Sequence, residues 1–175
     1  MVCRMAAATS RRLLGGLASL WGVGGVALLL GSAVWRLTPM ALEALRSGAM
    51  GALHWFVLTG WLLFMGYSEG YRGFHTRFSP RTAARALHLG QRPTPLRAIL
   101  APLFCMGFFA ASRRVLVTSW SITTMVVVLV LIVHHIPQPW RGIIDAGVVL
   151  GLAWGLASLL WFYSRGVVRR EEPTD

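Results

Sequence analysis

The chain contains no lysine, only six acidic residues and only two cysteines in 175 positions. Each scarcity excludes something. Charged residues make up 13% of the sequence, about half of the roughly one quarter usual for soluble domains, so an ordinary water-soluble fold is excluded. Cys3 and Cys105 have neither metal-ligand spacing nor the pattern of a disulfide framework. Cys105 lies in an apolar stretch and reads as a small core hydrophobe. Gly-x-Ser-x-Gly, His-Glu-x-x-His, a Gly-rich phosphate loop and an aspartate-rich prenyl or phospholipid motif are all missing, which leaves no sequence signature of an enzyme.

With lysine absent, all 17 basic residues are arginine, and the formal net charge is +11. Their placement argues against nucleic-acid binding: they flank apolar runs instead of forming one basic face. Anionic lipid headgroups are the expected partner.

What the chain does have is hydrophobic length. It is 55% hydrophobic, with a mean hydropathy of +0.60. Apolar runs at 13–35, 48–67, 115–136 and 143–163 each approach the ~20 residues a transmembrane helix needs. A fifth piece, Ala98 to Ser112, has 15 residues and is interrupted by Pro102. If it does not cross, arginine divides as 14 on one side and three on the other; if it does, the split is 10 against seven. The positive-inside rule selects four spans, with the bacterial inner membrane as the expected location and both termini cytoplasmic. The fold class predicted is therefore an all-α, single-domain, multi-pass membrane protein. A connector at 36–47 joins spans one and two, and a basic cytoplasmic loop at 68–114 joins spans two and three. Ser79-Pro80 predicts the start of a short helix ending near Leu89, and Ala98–Ser112 is expected to lie on the interface or to dip in and return. Trp140 and Trp161-Phe162-Tyr163 bracket the last span as an aromatic belt would. Ser10-Arg11-Arg12-Leu13-Leu14 has the look of a twin-arginine signal, but the apolar run behind it exceeds a 7–15-residue signal core.

Four features are candidates for function. Gly147, Gly151 and Gly155 recur at every fourth position of span four, a glycine-zipper stripe that admits a close partner from this bundle, another membrane subunit or a homo-oligomer. Span one has a looser set in Ala18, Gly22, Gly24, Ala27 and Gly31, and span three carries hydroxyls at Thr118, Ser119, Ser121, Thr123 and Thr124. Arg77, Arg81 and Arg85 form a basic stripe suited to lipid headgroups. His54 falls inside span two and His134-His135 at the end of span three, on one side of the membrane. Together they could supply axial ligands to haem b or bind a metal, although their depths differ. Asp145, with His54 and Glu69, is the set a proton or solute pathway would use. The competing account pairs Asp145 with Arg141 one turn away, and Glu69 with Arg72. The leading expectation is a non-enzymatic structural or accessory subunit without a cofactor; a small redox or metal protein and a permeation protein are the alternatives.

Overall fold

A computed structural model describes residues 2–48, 50–91 and 94–171, with backbone alone for 2–12, 170 and 171. These residues are predominantly helical and include no strand. Helix α1 runs Val2–Arg46. It continues through Pro39, so the connector expected at 36–47 is instead its last three turns. It stops before Gly48, whose φ of +67° is open to glycine without a Cβ penalty. Helix α2, Ala52–Met65, passes without a break into a π-helical segment, Gly66–Phe78, and then into α3, Ser79–Gln91.

This corrects the reading of residues 68–78 as part of a loop. Charge and glycine hide the helix there, because its buried face uses Gly70. Gly66 lies against Leu150, and Gly70 lies against the Trp154 ring. Ser68 and Thr76 hydroxyls donate to the carbonyls of Phe64 and Arg72 at 2.7 Å, the back-bonding typical of hydroxyls within helices. Helix α3 matches the predicted Ser79–Leu89 but does not begin with a cap. Ser79 has helical φ and ψ, its N–H donates to Phe74 five residues back, and its hydroxyl reaches Gly155 O at 3.4 Å. Pro80 sits at the switch from π to α bonding, where a residue without an N–H costs least.

The piece expected at the interface forms two short helices, α4 (Pro95–Ile99) and α5 (Ala101–Met106), broken at Leu100 and ended by Gly107 at φ +87°. At five and six residues neither approaches the ~30 Å of a bilayer core at 1.5 Å per residue. Helix α6, Arg113–Val133, and helix α7, Trp140–Glu171, complete the chain.

Contacts fix the arrangement. Gly142 meets Met40 and Ala44, and Ser19 meets Tyr163, so α1 and α7 are antiparallel. Trp61 meets Ile144, Gly70 meets Trp154 and Leu87 meets Gly166, so the α2–π–α3 rod runs parallel to α7. The core gathers where α1, α3, α5 and α7 converge, at Ala18, Val26, Ala86, Leu89, Phe104 and Leu159. Among the described residues three helical stretches are long and apolar enough to cross a membrane: Leu13–Arg46, Arg113–Val133 and Trp140–Arg169. The third expected helix is α6, and it stands apart. Its most apolar window has a mean hydropathy of 2.4 and no buried residue.

The glycine stripe of α7 packs within this chain. A Cβ on Gly147 would strike the Trp61 indole, one on Gly155 the Phe74 ring, and one on Gly151 would come 3.1 Å from the Glu69 Cβ. Gly151→Leu should therefore lower stability in detergent by about 1–3 kcal/mol, the usual cost of overpacking. Ala153→Leu, at an exposed position, should fall within about 0.5 kcal/mol of wild type. Equal unfolding midpoints for the two variants would show that the stripe does not set the packing.

Candidate functional site

The polar and titratable groups collect along the seam between α7 and the rod, and at the two ends of the bundle. At the start of α2, Gly51 is extended and His54 occupies the third helical position. The Gly51 N–H donates to His54 Nδ1 at 3.2 Å, the return half of a capping box. The helix begins at Ala52, so His54 sits in its first turn rather than well inside a span. Its ring lies 4.9 Å from that of Trp140. This bond demands the proton on Nε2, the nitrogen that haem ligation would need free. His134 and His135 face each other at 6.0 Å, and His135 Nδ1 is occupied by Leu131 O at 2.8 Å. Among the described residues no three His, Cys, Asp or Glu side chains are grouped closely enough to hold a metal ion.

Asp145, His54 and Glu69 are strung along the seam instead of gathered. His54 is level with Trp140, and Glu69 is level with Gly151, ~16 Å apart along α7. Glu69 packs its stem on Gly151, and the expected Glu69–Arg72 pair does not form. The Arg141–Asp145 pair does: Nε and Oδ2 are 3.7 Å apart, one turn apart on α7. Asp145 is 4% exposed. Neither atom of the pair makes a hydrogen bond, while Arg141 Nη2 points to Met40 Sδ at 2.9 Å. Gly142 allows this approach by bringing the Met40 carbonyl and Ala44 against α7. Arg141 and Gly142 thus hold the ends of α1 and α7 together.

Further along, the π segment stacks Tyr67 on Tyr71 and Tyr71 on His75. His75 reaches α7 twice, through Phe162 at 5.1 Å and through Nδ1 to Ser158 Oγ at 3.1 Å. Ser158 is 5% exposed. Neither an acid nor a second donor sits on this pair, and its evident effect is to fix the π segment on α7. Ser158 was not legible in the sequence, because a lone serine in an apolar helix gives no signal.

The basic stripe behaves differently at each arginine. Arg77 and Arg81 are exposed, and Arg81 Nε donates to Arg77 O. Arg85 turns inward and is not free for headgroups. Its Nε donates to Phe104 O at 2.7 Å, its Nη2 to Phe109 O and Ala110 O at 3.2 Å, and its guanidinium covers the Phe104 ring. Burial lowers its pKa, with Arg97 adding to the effect and Cys105 opposing it. One side chain therefore ties α3 to the end of α5, at a carbonyl that also accepts from Gly107 N–H, and to the turn that follows it. Cys105 seats on Gly22 of the loose small-residue set, and Pro102 on Gly25, which that set did not include.

Two measurements follow from these contacts. Asp145→Ala leaves a cation without its partner and should cost about 3–5 kcal/mol, whereas Arg141→Met combined with Asp145→Leu should recover most of that loss. A single variant as stable as wild type would mean the pair is open to water. Burial raises the Cys105 thiol to about 12 against the pull of Arg85. The thiolate, which is the reactive form, is then scarce at pH 8, so a maleimide should label Cys105 only after denaturation. Rapid labelling of the folded protein would contradict the burial.

Comparison with protein-family models, with curated proteins and with solved structures finds no match to this chain.

Proposed function

We propose that the chain is a four-span inner-membrane protein with both termini cytoplasmic, acting as a non-enzymatic accessory subunit that presents α6 to another membrane polypeptide. The observation that carries this reading is the contrast between α7 and α6. The glycines of α7 are taken up by Trp61, Glu69 and Phe74 of the same chain, so they are not the surface offered outward. Helix α6 keeps its apolar middle, Ile122 to Ile132, exposed. Of its hydroxyls, Thr118 and Ser119 donate to Arg114 O and Met106 O; Ser121 and Thr124 lie exposed on the same helix, suited to bonds across a helix pair.

Four spans are supported by the continuity of the rod. Helix α2 alone has 14 residues, short of ~20, but the π segment continues it without a break to Phe78. Orientation is supported by the arginine distribution.

A photo-crosslinking side chain at Ile122 should give a discrete protein adduct in membranes, whether to a second copy or to another polypeptide. The same group at Leu63, 72% exposed on α2, should give lipid adducts alone. Lipid adducts alone at Ile122 would sink the accessory-subunit reading. Reporter fusions at Thr94 and after Asp175 should both report the cytoplasm, and an outside signal from either refutes the orientation.

A further inference from the structure

Helices α1 and α7 diverge on one face and leave a groove of about 1130 Å³. Its wall on α7 is made shallow by Ala153 and Ala157, and its wall on α1 by Gly31. From Gly31 to Arg46 the groove follows α1 for ~22 Å. Along that length its lining is apolar except for Thr38, whose hydroxyl is bonded to Val34 O, and for the end, where Glu43 and Arg46 stand one turn apart beside Ser47. These two do not pair with each other: Arg141–Asp145 is the one ion pair among the described residues, and both Glu43 and Arg46 are exposed.

An occupant must match a long apolar floor and, at one end, two opposite charges side by side. Helix α6 of a second copy would cover the floor, but its stretch from Met125 to Val133 has no charge to offer. A purely anionic amphiphile would satisfy Arg46 and place its charge beside Glu43; a cationic one would do the reverse. A headgroup carrying both a phosphate and an ammonium matches both. We propose that the groove binds one phospholipid of the phosphoethanolamine class, with its phosphate at Arg46, its ammonium at Glu43 and an acyl chain along Gly31, Ala153 and Ala157. This assignment rests on the reading of the chain as membrane-embedded, but not on its orientation or on a partner for α6.

The test is native mass spectrometry of the full-length protein, delipidated in detergent and titrated with phosphatidylethanolamine or phosphatidylglycerol. Wild type should retain a single phosphatidylethanolamine adduct, at least tenfold more than phosphatidylglycerol. Glu43→Gln with Arg46→Gln should reduce that retention at least tenfold, as should Ala157→Trp, which fills the floor and leaves the charges in place. Arg113→Gln, outside the groove, should retain the adduct, and melting of each variant identifies any that fails to fold. Equal retention of the two lipids overturns the proposal, as does an adduct indifferent to the groove variants or a two-chain species that displaces the lipid. Alkaline carbonate extraction of membranes separates the two levels. Protein that stays in the membrane yet holds no adduct removes the groove assignment alone, whereas protein released by carbonate removes the membrane reading beneath it.

Discussion

Between Gly147 and Gly155 the backbone of α7 lies against Trp61, Glu69 and Phe74 with no side chain of its own between them. In a bilayer there is no hydrophobic force to bring two apolar helices together, since lipid tails solvate them equally well. Close backbone approach, with the dispersion contacts it permits, has to do that work. Everything else in the arrangement uses this seam as its reference. It sets the depth at which Trp61 donates to Ile144 O, it brings His75 to Ser158, and it carries α3 to the level where Leu87 meets Gly166. With α3 so placed, Gly90 closes on Gly15 of α1, and the core around Leu89 and Leu159 becomes possible.

The second dependence is polar. The turn after α5 carries carbonyls that belong to no helix, and leaving such a group buried and unpaired costs about 1–3 kcal/mol. Arg85 meets three carbonyls at once with donors in a fixed planar fork. A lysine could not reproduce this, because its single ammonium lacks the planar fork. The basic stripe therefore divides its labour: Arg77 and Arg81 stay on the surface, while Arg85 holds the short helices to the bundle.

Composition and periodicity made the apolar helices legible because hydrophobic length is a property of contiguous residues. Three of the four expected runs recur as helices able to cross a membrane, and the stripe at Gly147, Gly151 and Gly155 was readable for the same reason. The failures were of another kind. Residues 68–78 looked like a loop because Gly70, Gly73 and Glu69 are read as breakers and charges, whereas Gly70 is required by the Trp154 ring 3.1 Å from its would-be Cβ. That constraint comes from a residue 84 positions away and leaves no local trace. Arg85 looked like its neighbours because an arginine's direction is not written in its spacing. His54 was placed too deep because the apolar run begins before the helix does, at Gly48 rather than Ala52. The Arg141–Asp145 pair was legible, since both residues belong to one helix turn.

The π segment has a geometric effect on everything beyond it. Each i to i+5 turn takes up more chain than an α turn for the same advance around the axis, so Gly66–Phe78 sets the angular phase between α2 and α3. At 3.6 residues per turn, one residue is ~100° of rotation. Were this stretch to relax to α pitch, α3 would turn by a large fraction of a circle, carrying Ala86 and Leu89 off the core and Arg85 away from the carbonyls of α5. The α2 half could remain seated on Gly147 while the α3 half lost every contact it makes. Winding, rather than bending, is thus the coordinate along which the two ends of this rod are coupled.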